Sequence, residues 1–388
     1  MVRSFNFTRI PNIVFGSGSR KRIPGIVKGF GNNIILVTGK KSFLSGTRGH
    51  KILNELKNNG IRFEIVGISN EPTPEDVDNA VNMLKGSNIE CVLSIGGGSV
   101  IDAGKAISAM ATVEGSVKDY LEGVGELNHP GTKIPFIAMP TTSGTGSEAT
   151  KNAVISMIGE NGFKKSLRHD NFVPEYAIID PELTINCPPE ISAPAGMDAF
   201  TQLVESFLSV KSSIMTDALA LNGIEKLVNS IEITVRNGSD IKARENMAYA
   251  ALLSGITLAN AGLGVIHGFA QPLGSLFPIP HGIVCGTLMA PANEISLNKV
   301  LEEENTRILN KYARLGSFIN CNLIKEHELA SAFIQYLNEL TEKLRIPKLS
   351  RYNINESHFD RVIQSTDLKN HPINLNHGDL RQILTLRV

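Results

Sequence analysis

Short apolar runs punctuate the first half of the chain, and stretches with helical spacing separate them. Ile34–Thr38 (IILVT), Arg62–Ile68 (RFEIVGI), Cys91–Ile95 (CVLSI), Ile134–Met139 (IPFIAM) and Tyr176–Ile179 (YAII) read as strands. Gly49–Asn59, Pro74–Lys85 and a stretch opening at Ser99 carry apolar residues at helical intervals. This alternation predicts a parallel sheet covered by helices on both faces. Beyond Pro189 the texture changes. Gly196–Ser209, Ser213–Ser230, Ile241–Ala261, His327–Leu344 and Glu356–Ser365 read as helices, and strand patterns stop. Between Asp180 and Pro189 three prolines and an Asn interrupt both periods. The pattern therefore predicts an α/β N-terminal domain over 1–184 and an all-α C-terminal domain over 185–388.

Composition narrows the function. Lys plus Arg and Asp plus Glu both number 38 in 388 residues, so no charge excess points to a nucleic-acid partner. No apolar run is long enough to span a bilayer, and the opening MVRSFNFTR lacks the apolar core of a secretory signal. Cys91, Cys187, Cys285 and Cys321 are widely spaced with no C-x-x-C pair, which argues against a disulfide framework and a thiolate metal site. Together these features predict a cytoplasmic protein with no membrane partner.

Two segments look made for phosphate. In SIGGGSVIDAGKAI (94–107) a strand delivers Gly96, Gly97 and Gly98, and a helix opens with Ser99 at the N-cap and Asp102 at capping-box spacing. Bare backbone N–H groups at such a helix start favour an anion. After Ile134–Met139 comes PTTSGTGSEAT (140–150), where hydroxyls and glycines alternate. Ligands of open α/β sheets sit outside such strand ends. Each loop read alone is also compatible with a tight turn or a polar linker.

The remaining chemistry is acidic and imidazole. In AGMDAFTQLVESF (195–207) a helix would put Asp198, Gln202 and Glu205 on one face, with no Lys or Arg nearby to pair with them. A buried carboxylate without a cation wants a metal or a proton. His267 and His281 lie in the uncharged stretch NAGLGVIHGFAQPLGSLFPIPHG. With Asp198 they would offer one oxygen and two nitrogens to Zn²⁺ or Fe²⁺. The plainer alternatives are core histidines with satisfied hydrogen bonds and a solvated polar stripe.

GGGSVIDAGKA, PTTSGTGSEAT, GMDAFTQ and GLGVIHGFAQPLG…PHG occur in order, and together they resemble the iron-containing (group III) alcohol dehydrogenase family. The similarity runs over essentially the whole chain, including Asp180–Thr184 and the closing NHPINLNHGDLRQIL. It implies the architecture shared with dehydroquinate-synthase-like proteins: a dinucleotide-binding α/β domain, a helical metal-binding domain and a cleft between them. It implies hydride transfer between NAD(P) and a small alcohol or aldehyde, in a homodimer or larger homo-oligomer that pairs through the region around Phe5–Phe15. It places Gly96, Gly97, Gly98 and Ser99 at the pyrophosphate with Asp102 in support. Thr141, Thr142, Thr145, Lys164 and Leu183 become cofactor contacts.

Three departures sharpen the reading. The family's Asp-x-x-x-His plus two later histidines read here as Asp198, Gln202, His267 and His281, and a neutral amide at 202 predicts a weakened metal site. Gln271 stands where some members carry a histidine that relays the alcohol proton, and an amide is no general base near neutral pH. Residues near the reacting centre are thus Asp198, His267 and Gln271. Gly39 stands where members that prefer NAD place an Asp, and Lys40 and Lys41 follow, which favours NADP(H) over NAD(H). Val265, Phe269 and Phe277 are candidates to line a small pocket. The alternatives are a metal-independent reductase of the maleylacetate reductase type, a dehydroquinate-synthase-like lyase and a non-catalytic nucleotide binder.

Overall fold

A computed structural model describes residues 4–40 and 42–388. These divide into two compact units: Thr8–Met157 with Gly162–Cys187, and Pro188–Val388 with Ile158–Asn161 and residues 4–7.

The first unit contains β1 (Asn12–Phe15), α1 (Ile23–Lys28), β2 (Asn33–Gly39), α2 (Ser42–Ser45), α3 (Thr47–Asn58), β3 (Arg62–Ile68), α4 (Pro74–Leu84), β4 (Cys91–Gly96), α5 (Gly98–Met110), β5 (Phe136–Pro140), β6 (Asn152–Met157), β7 (Phe163–Arg168) and β8 (Tyr176–Ile179). Six strands make an all-parallel sheet in the order β1-β8-β5-β4-β2-β3. Successive side chains of a strand point to opposite faces, so each strand feeds two cores. Ile35, Val37, Val92, Phe136 and Ala138 pack with α4 and α5. Ile34, Leu36, Leu93, Ile95, Ile137 and Met139 pack with α1 and α3. The chain leaves β2 outward to β3 and returns to β4 on the other flank of β2, which puts the topological switch between β2 and β4.

Three features depart from the sequence pattern. β1 is a four-residue edge strand in which only Val14 is buried, and its apolar stretch of three residues is too short to stand out. β6 and β7 form an antiparallel hairpin, and FKKSLR carries too much charge to look like a strand. β5 starts at Phe136 rather than Ile134, because Pro135 has no N–H to give the ladder.

The second unit is helical: α6 (Pro189–Leu208), α7 (Ile214–Val228), α8 (Ile231–Arg236), α9 (Ile241–Ala261), α10 (Val265–Leu276), α11 (His281–Glu302), α12 (Thr306–Gly316), α13 (Glu326–Lys343), α14 (Phe359–Gln364) and α15 (His377–Thr385). α6 begins at Pro189, ahead of the expected Gly196, because Pro at the first helical position costs no hydrogen bond. α10 and α11, which carry both histidines, were not expected as helices. α11 is apolar and buried almost all round, so it shows no amphipathic period. α9 and α10 meet at a 100° bend, where Gly262 takes φ 71°. Among the described residues no single helix is long and apolar enough to cross a membrane.

Candidate functional site

In the first unit the expected cofactor residues gather at one edge of the sheet. Gly39 ends β2, Gly96 ends β4, Thr141 follows β5, and Leu183 sits in the turn Pro181–Thr184 that follows β8. Since the strands are parallel, all four lie at carboxyl ends. The two glycine-bearing loops touch. The Thr141 N–H donates to the Gly96 carbonyl at 2.9 Å. A Cβ on Gly98 would stand 2.5 Å from Thr145 Cγ2, and one on Gly97 would stand 3.4 Å from Thr142 Oγ1. At position 98 the approach requires glycine, whereas at 97 a Cβ would just touch Thr142.

The helix start differs from expectation. The N-cap of α5 is Gly97, with no side-chain cap, and Ser99 lies inside the first turn. The three glycines turn the chain into the helix at once. That moves Asp102 into the interior, where it accepts the Val154 N–H at 3.0 Å and so ties α5 to the hairpin. The uncapped first turn leaves N–H groups for an anion. Behind it Lys105 is wholly buried. Its ammonium donates to the Ser147 and Asn152 carbonyls at 2.8 Å and to Thr150 Oγ1 at 3.0 Å, pinning the end of the threonine loop. Burial pulls the Lys105 pKa down to about 8 and pushes Glu148 up to about 7.

Lys164 lies on β7 and ion-pairs with Glu71, which also accepts the Ser156 hydroxyl at 2.7 Å. Lys40 is exposed beside Gly39, and Lys41 lies outside the described residues.

In the second unit Asp198 comes from α6, His267 from α10 and His281 from the first turn of α11. Asp198 Oδ1 lies 3.4 Å from His267 Nε2 and 3.5 Å from His281 Nε2. Two glycines of α11 permit the approach. A Cβ on Gly282 would stand 2.5 Å from the Pro194 carbonyl oxygen, and one on Gly286 3.0 Å from Met197 Cβ. α11 therefore lies flat on α6 beside Asp198.

Sequence reasoning put Glu205 on the Asp198 face without a role and missed Cys285 as a donor. Glu205, two turns along α6 from Asp198, accepts the Ile266 N–H at 2.7 Å and stands 2.7 Å from His267 Nδ1. It caps α10 and holds the His267 ring; its i+7 spacing from Asp198 was the available signal. Cys285 lies one turn beyond His281, wholly buried, with Sγ 3.7 Å from Nε2 of both histidines. The absence of a C-x-x-C pair hid it. Gln202 is buried on the Asp198 face of α6, and its Oε1 accepts the Ser254 hydroxyl at 2.7 Å. Gln271 sits one turn past His267 and is half-buried. Val265 and Phe269 are fully buried core residues. The Phe277 ring meets His358 edge-on, centroids 5.0 Å apart.

The electrostatics call for a positive charge. Burial disfavours the Asp198 carboxylate, but His281 and His267 outweigh it and hold the pKa below the ordinary value. Burial likewise opposes charging His267, yet Cys285, Glu205 and Asp198 raise it well above the ordinary imidazole value. Burial pushes the Cys285 thiol up to about 12. Asp198 Oδ1 is buried and accepts no hydrogen bond. The carboxylate thus demands a positive charge beside it, met either by a second proton on His267 or by a cation lying among the donors. Tetrahedral bonds of about 2.0–2.1 Å give donor separations of about 3.3–3.4 Å, so the donors present fit a divalent ion.

An α/β unit with phosphate-suited strand ends and an all-helical unit with a carboxylate–imidazole cluster make up the architecture of iron-containing alcohol dehydrogenases. The chain belongs to that family. The model for iron-containing alcohol dehydrogenase matches residues 11–181, and that for the family's C-terminal part matches 192–387. The chain is 31% identical to long-chain-alcohol dehydrogenase 1 of Geobacillus thermodenitrificans, covering 95% of this chain and 93% of that one. It is 30% identical to an NADPH-dependent butanol dehydrogenase of Clostridium saccharobutylicum, covering 97% and 96%. A crystal structure of 1,3-propanediol oxidoreductase superposes with TM-score 0.89 at 27% identity over the full length of both chains.

Proposed function

We propose that this protein is an NAD(P)-dependent alcohol dehydrogenase that interconverts a small alcohol and its aldehyde with help from a divalent metal, NADP(H) being the preferred cofactor. The observation that carries the reading is the convergence of Asp198, His267 and His281 from three helices, with Glu205 behind His267.

Asp198, His267 and His281 would hold the ion, which when bound supplies a Lewis acid for the substrate oxygen. Glu205 keeps the His267 proton on Nδ1 and leaves Nε2 as a donor. Gln271 can hydrogen-bond substrate or cofactor, but its amide takes no proton near neutrality. The hydroxyl proton therefore leaves through water or a cofactor ribose hydroxyl. Backbone N–H groups at Gly98 and Ser99 hold the pyrophosphate, with Asp102 bracing α5, and Thr141, Thr142 and Thr145 add hydroxyls. Leu183 offers an apolar contact, and Lys164 orders the hairpin through Glu71.

Gly39 carries no carboxylate to repel a 2′-phosphate, and Lys40 stands exposed beside it. One relative is named for NADPH and a solved structure carries NAD+, so the preference rests on Gly39 and Lys40. The edge strand β1 exposes Ile13 and Phe15, which supports pairing of two copies along it. Free cysteines throughout fit a reducing compartment such as the cytoplasm.

The test is NADPH and NADH oxidation over a panel of small aldehydes, with protein stripped of metal and reloaded with Fe²⁺ or Zn²⁺. NADPH is expected to lead in kcat/KM by about tenfold, the worth of one contact of about 1.4 kcal/mol. A lead for NADH contradicts the reading of Gly39. Turnover unchanged by stripping contradicts the metal.

A further inference from the structure

The fourth donor departs from the family pattern. We propose that the Cys285 thiolate, rather than the Gln202 amide, completes an Asp198–His267–His281–Cys285 set that selects zinc over iron(II); the inference rests on the metal reading above.

Three observations carry it. The first is position. One donor atom from each of the four side chains falls within 4.8 Å of every other. His281 and Cys285, one turn apart on α11, share the face that Gly282 and Gly286 press onto α6. The sulfur is 3.7 Å from both Nε2 atoms. A tetrahedral ion with a metal–sulfur bond of about 2.3 Å and metal–nitrogen bonds of about 2.0–2.1 Å separates sulfur from nitrogen by about 3.6 Å.

The second is the engagement of Gln202. Its oxygen accepts the Ser254 hydroxyl at 2.7 Å. That engagement commits one of the oxygen's two lone pairs to a buried hydroxyl on α9 and weakens an already poor donor.

The third is donor chemistry. A thiolate is an anionic, soft donor and an amide oxygen a neutral, weak one, so a divalent ion with both in reach takes the sulfur. On binding, the metal–sulfur bond forms, the S–H bond breaks and the proton passes to solvent. Thiolate is a soft donor that favours zinc over iron(II) in a tetrahedral set.

The test is zinc K-edge X-ray absorption on the zinc-loaded full-length protein, with zinc affinity measured by competition against a chromophoric chelator. The wild type is expected to show one sulfur scatterer at about 2.3 Å beside nitrogen and oxygen at about 2.0–2.1 Å. Cys285→Ser loses that sulfur shell. Its zinc affinity falls by more than the roughly 10–100-fold typical of losing an outer-shell partner, and its preference for zinc over iron(II) falls with it. Gln202→Ala keeps the sulfur shell. A wild-type spectrum with nitrogen and oxygen alone overturns the inference and leaves the metal reading standing. A wild type that retains no zinc and no iron overturns both. If Cys285→Ser does not fold, the wild-type and Gln202→Ala spectra still decide.

Discussion

The two units offer opposite means of binding. The proposed cofactor edge of the α/β unit is made of backbone: glycines at 96, 97 and 98, an uncapped helix start, and a threonine loop laid against it. The helical unit's cluster is made of buried side chains drawn from three helices and held by a carboxylate behind them. A backbone site tolerates changes of side-chain chemistry but not of volume. A side-chain cluster fails when one donor changes, even if volume is kept. Substitutions in the two units should therefore separate cofactor affinity from metal affinity.

The largest effect is expected at His267. Replacing it with Ala removes a donor and strands Glu205. A Lewis acid is worth several kcal/mol, so kcat/KM should fall about 10³-fold or more, with NADPH affinity by fluorescence titration unchanged. A concurrent loss of NADPH binding would erase the contrast. Next comes Gly98→Val, whose side chain would collide with Thr145. The Kd for NADPH is expected to rise about 100-fold, the equivalent of about 2.7 kcal/mol, at unchanged metal content.

Glu205→Gln sharpens the comparison from the other side. It keeps shape while removing the charge that fixes His267, and metal affinity should fall about 10–100-fold. Cofactor affinity unchanged and metal affinity reduced is the signature; the reverse pattern contradicts it.

The smallest effect is a pH dependence of stability in the α/β unit. Lys105 titrates near pH 8 when folded against an ordinary 10.5, so the unfolded chain binds more protons between those values and stability rises with pH there. Glu148 titrates near 7 against 4.5, so the folded chain keeps its proton longer and stability falls as pH rises through that window. Urea unfolding from pH 4.5 to 10 should dip between about 7 and 8. Lys105→Met should flatten the upper limb while leaving the carbonyls of Ser147 and Asn152 unpartnered.

The same contrast explains what the chain disclosed before its structure. The parallel strands β2, β4, β5 and β8 were legible because buried strands read as apolar runs, the exposed edge strand β3 was legible through its β-branched Ile65, Val66 and Ile68, and both glycine loops were legible because their residues are contiguous. β1 escaped as a half-exposed edge, and the β6–β7 hairpin escaped through its lysines. In the helical unit, Asp198, His267 and His281 were named, but α10 and α11 were not. Both contain proline, at 272 and 291, and α11 has no polar face. Without α11 the i,i+4 relation between His281 and Cys285 cannot be read, so the thiol looked isolated. Glu205 was visible on the Asp198 face, but its partner lies 62 positions away.

The most direct test of the central claim is an anomalous-difference map at the zinc edge from crystals of the zinc-loaded protein. The account predicts one peak within about 2.0–2.3 Å of Asp198 Oδ1, both Nε2 atoms and Cys285 Sγ. A map with no peak there, and imidazoles hydrogen-bonded directly to the carboxylate, would contradict it.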